Sequence, residues 1–354
     1  MTFRAFGAPH RYMQGPDALA ELKGLAALYG RRPFVVADAV VAELLGDRLR
    51  AELDGAGHAT FGLFGGECTA AEIETLASAA RAAQADVIIG VGGGKAIDTA
   101  KGVRMALGIP IIIVPTIASN DSPTSRLAVL YREDHVLSEV RLMTASPDVV
   151  LVDTSIIVQA PVRFFIAGIG DALSKKFEVE QCAAVGGTNF FKGSPTRLAL
   201  RIADACYGII RAEGEAAVQA VRNHETTEAV ENAIEASILM SGLAFESGGL
   251  SIAHSLTRGF SAVPEIARAL HGEQVALGLL VQLVAEGRDP AFLNDLRDFY
   301  RRIGLPTSLA AFGVSDPGAV ETIVQTSWQT APYIKNFTHP LSPQILHTAF
   351  MTLA

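Results

Sequence analysis

Cysteine is nearly missing from this chain. Only Cys68, Cys182 and Cys206 occur in 354 residues, none spaced as CxxC. That excludes a disulfide framework or a zinc ribbon and points to a reducing cytoplasm. Positive charge is also short, with 29 Lys and Arg against 37 Asp and Glu and a net charge of -8. A nucleic-acid partner is therefore not expected, and a bound phosphate would rest on backbone N–H groups and a few cations. No apolar run reaches the roughly 18 residues of a membrane span, so no membrane partner is expected. The opening MTFRAFGAPHRYMQG lacks the apolar stretch of a signal peptide. Repeats and low-complexity segments are missing too. What is abundant is apolar bulk: 49% of residues are hydrophobic and 19% charged, enough for a sizeable core in one large or two ordinary domains.

Apolar runs and helical patterns alternate up to residue 161. Tyr12–Gln14, Pro33–Ala37, His58–Leu63, Ala85–Ile89, Ile109–Val114 and Val149–Val152 read as strands. Between them Ala18–Leu28, Ala42–Leu53, Ala70–Ala83 (capped by Thr69) and Ala96–Met105 read as helices. Leu127–Tyr131 and Val136–Leu142 form a hairpin. This order predicts a doubly wound, mostly parallel sheet with helices on both faces. After Pro161 strands stop. Val162–Ala183, Pro195–Ala212, Glu225–Phe245, Leu250–Phe260, His271–Glu286 and Pro290–Ile303 read as helices. The expected organisation is an α/β dinucleotide-binding domain over 1–161 and an all-helical metal-binding domain over 162–354, with a cleft between them.

Four features carry chemistry. The stretch ADVIIGVGGGKAID runs from a buried strand through Gly92, Gly93 and Gly94 into a helix headed by Lys95. Glycines let backbone approach a ligand, and a helix N-terminus suits a phosphate. A plain strand-to-helix turn has the same appearance, and neither the usual dinucleotide nor the Walker fingerprint is met. Asp38 ends a strand, where a carboxylate can either accept from an adenosine ribose or cap the next helix. The loop Thr116–Ser125 is crowded with hydroxyls at the end of another strand. In the helical half Asp171, His254 and His271 offer one carboxylate and two imidazoles, a set suited to Zn²⁺ or Fe²⁺, but no local spacing joins them.

Longer segments add a resemblance. GGECT at 65–69, GVGGGKAIDTAKG at 90–102, PTIASNDSPTS at 115–125, PDVVLVDTSIIVQAPVRFFIAGIGDAL at 147–173, SGLAFESGGLSIAH at 241–254 and HGEQVALG at 271–278 resemble the bacterial glycerol dehydrogenases. These are a branch of the iron-containing (group III) alcohol dehydrogenase superfamily, with a dehydroquinate-synthase-like fold. The resemblance implies Asp171, His254 and His271 as metal ligands, usually for Zn²⁺. It implies Asp38, Gly94, Lys95, Thr116, Ser119, Ser125, Leu127 and Tyr131 as contacts to NAD, to which the turn adds Gly92, Gly93 and Asp98. Asp121 would hold a substrate hydroxyl, and His254 and Asp121 would serve the reaction. The implied activity is NAD- and metal-dependent oxidation of glycerol, or a close vicinal diol, to the hydroxyketone by hydride transfer from a metal-activated alkoxide, in a homo-oligomer, typically an octamer. Another alcohol, glycerol 1-phosphate, or a non-catalytic nucleotide-binding role are the alternatives. A phosphorylated substrate would call for several cations, and the motifs supply Lys95, Lys175 and Arg258. Thr257 stands where the branch carries a second histidine, and Pro264, Glu265 and Arg268 replace a His- and Tyr-rich run.

Overall fold

A computed structural model describes residues 3–55, 57–133 and 137–353. The chain divides into two compact units, Ala8–Pro161 with His224–Thr226, and Met1–Gly7 with Val162–Asn223 and Thr227–Ala354.

In the first unit the buried apolar runs become strands β1 (Arg11–Gly15), β2 (Pro33–Asp38), β3 (Thr60–Phe64), β4 (Val87–Gly92), β5 (Ile111–Pro115), β6 (Leu127–Tyr131), β7 (Leu137–Leu142) and β8 (Val149–Asp153). Helices α1 (Leu22–Tyr29), α2 (Ala39–Leu53), α3 (Ala70–Ala82), α4 (Gly94–Leu107) and the short α5 (Thr154–Ile157) intervene. Six strands form one sheet in the order β1-β8-β5-β4-β2-β3, and every pairing is parallel. The separate β6–β7 hairpin is antiparallel; Val136, expected in β7, lies outside the described residues. Val35, Ala37, Ile89, Val91 and Ile112 pack with Leu22 and Leu25 of α1 and Leu49 of α2. On the opposite face, a Cβ placed on Gly90 would lie 2.7 Å from the Ala100 Cβ of α4. Because strand side chains alternate in direction, helices cover both faces.

Two local readings change. The helix expected from Ala18 begins as a 3-10 turn over Ala18–Glu21, where the Asp153 carboxylate draws the Leu19 N–H to itself at 3.1 Å. α4 starts two residues before Ala96, because Gly93 in extended conformation serves as its N-cap.

The second unit carries α6 (Val162–Ala184), α7 (Arg197–Arg222), α8 (Glu228–Ile234), a π-helical stretch at Glu235–Met240, α9 (Ser241–Gly248), α10 (Ile252–Phe260), α11 (Pro264–Ala267), α12 (His271–Ala285), α13 (Pro290–Ile303), α14 (Ala319–Thr330) and α15 (Pro343–Thr352). α7 outruns its expected end at Ala212 by ten residues; the Phe299 ring packs on Gly214, 3.1 Å from where its Cβ would stand, so the glycine does not break the helix. The single helix expected over Glu225–Phe245 is three segments, with its middle turn widened to the π form. The chain start joins this unit, with Ser194 N donating to Phe3 O at 2.9 Å. Among the described residues no single helix is long and apolar enough to cross a membrane.

Candidate active site

Three helices of the second unit meet at backbone distance. A Cβ on Gly272 of α12 would stand 1.7 Å from Ala167 O of α6, and one on Gly278 would stand 2.6 Å from Ala253 O of α10. Only glycine permits such approach. Each contact has a candidate ligand beside it in sequence: His271 precedes Gly272, and His254 follows Ala253. Near the same crossing Asp171 follows Gly170, whose Cβ would meet Gly272 O at 2.5 Å. The donor atoms of Asp171, His254 and His271 consequently lie within 4.8 Å of one another. His254 Nε2 is 3.2 Å and His271 Nε2 4.0 Å from Asp171 Oδ1, with the two rings tilted at 57°. Asp171 is fully buried, yet among the described residues its Oδ2 has no hydrogen-bond partner. A buried carboxylate oxygen left unpaired is costly, and an oxygen beside two imidazole nitrogens is the donor set a divalent cation takes.

The same face of α6 carries two more buried charges, Lys175 and Glu178, one and two turns beyond Asp171. Glu178 Oε1 accepts from Ser251 N and His254 N at 2.9 Å each, so it caps α10. Its Oε2 meets His254 Nδ1 at 2.5 Å. That contact orients the ring and leaves Nε2 toward Asp171. The Lys175 ammonium is bonded to Asp171 Oδ1 and lies 3.1 Å from His254 Nε2. Burial works to raise the Asp171 carboxyl, but Lys175 and then the histidines outweigh it and hold it well below the usual carboxylate range. For His254, burial works to lower the imidazolium and the Glu178 carboxylate outweighs it, lifting it to about 9. The first turn of α12 is tied to the start of α6: Glu273 accepts from Leu270 N at 2.9 Å and from Arg163 Nε and Nη2 at 2.6 and 2.8 Å. Sequence reasoning had not singled out Glu178. Its signal was its place seven residues after Asp171 on a helix whose buried face is otherwise mostly apolar.

In the first unit the glycine turn, Asp38 and the Thr116 loop come together at the carboxyl ends of β2, β4 and β5. Gly92 has φ +147°, a conformation open to glycine, and the Asp38 Oδ2 lies 3.7 Å from where its Cβ would stand. Asp38 also caps α2, accepting from Val41 N at 2.8 Å, so the capping reading holds as geometry. Among the described residues no side chain caps α4, unlike α2 and α3, so the N–H groups of its first turn lack a side-chain acceptor at the N-cap. Thr116 N donates to Gly92 O at 3.1 Å, and the Asn120 amide stands 3.0 Å from where a Gly94 Cβ would be. Gly93 sits against Ile117 in the same way, at 2.8 Å. Lys95 is paired with Glu67 at 2.7 Å above the Tyr131 ring. Ser119, Asp121 and Ser125 are buried.

Asp98 is committed to the protein on both oxygens. Oδ1 meets Lys101 Nζ at 3.1 Å and Ser122 Oγ at 2.6 Å, and Oδ2 accepts from Val129 N at 3.0 Å. It fastens the loop. Lys101, fully buried, completes the knot by donating to Ser122 O and Leu127 O at 2.7 and 2.5 Å.

Residues 9–154 match the family model described as iron-containing alcohol dehydrogenase. Along 350 residues the chain is 37% identical to the glycolaldehyde reductase of Halobacterium salinarum, covering 98% of this chain and 96% of that one. It is equally similar, at 37% over 350 residues, to the glycerol dehydrogenase of Citrobacter freundii, covering 98% and 95% of the two chains. The chain belongs to the iron-containing alcohol dehydrogenase family. A solved structure of this family, a probable glycerol dehydrogenase from Sinorhizobium meliloti, superposes with a TM-score of 0.92 at 37% identity over 99% of this chain and 98% of that one.

Proposed function

We propose that this family member oxidises glycerol, or a close vicinal diol, to the hydroxyketone with NAD⁺ as hydride acceptor and a divalent metal, Zn²⁺ or Fe²⁺. The observation that carries the reading is the Asp171–His254–His271 cluster, in which a buried carboxylate with an unpaired oxygen meets a half-buried and an exposed imidazole, in a chain so similar to glycerol dehydrogenases along nearly its whole length. Asp171, His254 and His271 would hold the cation. When bound, the cation would lower the pKa of a substrate hydroxyl, and NAD⁺ would supply the hydride acceptor for the carbinol carbon.

The chain's own residues do the rest. Asp171 supplies the negative charge of the ligand set. His254 offers Nε2, held in orientation by Glu178. The uncapped first turn of α4, with Gly92, Gly93, Gly94 and Lys95, would cradle the pyrophosphate. Asp38 would accept from the adenosine ribose and repel a 2′-phosphate, favouring NAD over NADP. Thr116, Ser119, Ser125, Leu127 and Tyr131 would line the cofactor, and Asp98 would act by holding their loop in place. Asp121 would accept from a second substrate hydroxyl. A phosphorylated substrate finds little support, since Lys175 is paired with Asp171 and Lys95 stands at the turn read as the pyrophosphate cradle. The likeness to a glycolaldehyde reductase favours a small hydroxyaldehyde as the substrate of the reverse direction, which shares the two adjacent oxygens. Three buried free cysteines fit the cytoplasm as its place, and a homo-oligomer, an octamer by the resemblance, belongs to the same proposal.

The test is steady-state rates with NAD⁺ and NADP⁺ on glycerol, propane-1,2-diol, butane-2,3-diol and glycerol 1-phosphate, and with NADH on glycolaldehyde, before and after chelation. Turnover of glycerol with NAD⁺, lost on chelation and restored by Zn²⁺ or Fe²⁺, is expected. Full activity after complete metal removal would exclude the scheme.

A further inference from the structure

Lys175 reaches into the donor cluster and touches two of its three residues, Asp171 and His254. Its ammonium is bonded to Asp171 Oδ1 and lies 3.1 Å from His254 Nε2, the nitrogen assigned above to a divalent ion and the carboxylate oxygen 3.2 Å from that nitrogen. The side chain is fully buried. It rises from one turn along α6 and passes the Phe245 ring, 5.4 Å from its centroid. A buried ammonium needs a counter-charge, and Asp171 supplies it. A divalent ion on the same two atoms would meet a like charge at contact distance beside the fully buried Asp171, where repulsion is only partly screened. Metal and ammonium cannot both hold Asp171 Oδ1 and His254 Nε2.

We propose that Lys175 is a built-in counter-ion that competes with the divalent metal for Asp171 and His254, so that the metal enters only as the ammonium swings out. The proposal rests on the reading of Asp171, His254 and His271 as metal ligands. The four-carbon stem of lysine is flexible enough for the exchange. Two consequences follow for the protein itself. Without metal, Asp171 is already neutralised on one oxygen, so the fold does not depend on loading. With metal, the apparent affinity is the intrinsic affinity reduced by the fraction of molecules whose Lys175 has left the site.

The experiment compares wild type with Lys175→Met and Lys175→Gln, each stripped by chelator and titrated calorimetrically with Zn²⁺, with thermal melts recorded in both states. Both variants are expected to bind Zn²⁺ at least about tenfold more tightly than wild type. Their melting temperatures should rise further on Zn²⁺ addition than that of wild type. If stripped Lys175→Met does not fold, Lys175→Gln, whose amide can still donate to Asp171, carries the comparison. Zn²⁺ retention by metal-loaded protein against graded chelator then gives the same ranking. Equal affinity in wild type and both variants overturns the competition while leaving the ligand set intact. Failure of all three proteins to bind Zn²⁺, or unchanged binding by His271→Ala, overturns the ligand set and the competition with it.

Discussion

The two candidate sites are built from different materials. In the sheet unit the glycine turn and the bare first turn of α4 present backbone, and the nearby charges are tied off in pairs, Lys95 with Glu67 and Lys101 with Asp98. In the helical unit the site consists of buried side-chain charges, Asp171, Lys175 and Glu178 on one face of α6, with two imidazoles brought against them. Backbone donors select a ligand by shape and by a partial charge that no pH change removes. Buried ionisable groups respond to every proton and cation that reaches them. The sheet unit should therefore tolerate side-chain changes that the helical unit cannot.

The sharpest way to break that contrast is Asp171→Asn, which keeps the shape and removes the charge. A fall in kcat/KM on glycerol of about a thousandfold is expected, with the metal lost and the circular dichroism unchanged. Retained turnover would place the chemistry elsewhere. Next comes Glu178→Gln, which leaves every ligand in place. Metal affinity should drop by about 10- to 100-fold, as when other outer partners of ligating histidines are changed. The pH dependence gives a second reading of the same variant. Because Glu178 lifts His254 to about 9, protons compete with the metal below that point, and wild-type affinity should climb as pH rises toward it. Without the carboxylate the imidazolium loses its support, so the climb should end at lower pH. An unchanged profile would separate Glu178 from His254. The smallest effect belongs to the sheet unit. Asp38→Ala removes a cap and should cost about 1 kcal/mol of stability. It should also raise KM for NAD⁺ by about tenfold, the equivalent of one lost hydrogen bond, with kcat unchanged; a fall in kcat instead would count against a purely binding role.

The same contrast explains what could be read in advance. β4, its glycine turn and α4 are consecutive in the chain, so an apolar run followed by Gly92 to Gly94 announces both the sheet and the turn. Thr69 as a cap and α13 from Pro290 to Ile303 are equally local, each signalled by residues within a turn of its ends. The donor cluster is not local. Asp171, His254 and His271 meet because Gly272 and Gly278 let three helices touch, and no spacing in the sequence encodes that crossing; the three were joined only through the resemblance. Glu178 stayed hidden because a carboxylate on a helix usually faces water, and its partners Ser251 and His254 lie on another helix. The extent of α7 was misjudged at Arg211, Glu213, Gly214 and Glu215, where charge and glycine imitate a terminus and Phe299, which fills the space, comes much later. α14 and α15 lie beyond HGEQVALG at 271–278, the last of the segments that carry the resemblance, and Trp328 and the THPLSP stretch at 338–343 form no motif.

The knot around Lys101 has a kinetic meaning. Its ammonium holds Ser122 and Leu127 while Asp98 holds Ser122 and Val129, so the hydroxyl-rich loop is moored to α4 at its middle and its far end. A segment fastened this way loses its conformational entropy during folding, not on meeting a ligand. Amide hydrogens there should exchange with solvent at rates close to those of the neighbouring strands rather than of a mobile surface loop. A dinucleotide arriving at this edge would meet a finished mould, and its association would be governed by diffusion and orientation instead of by waiting for a lid.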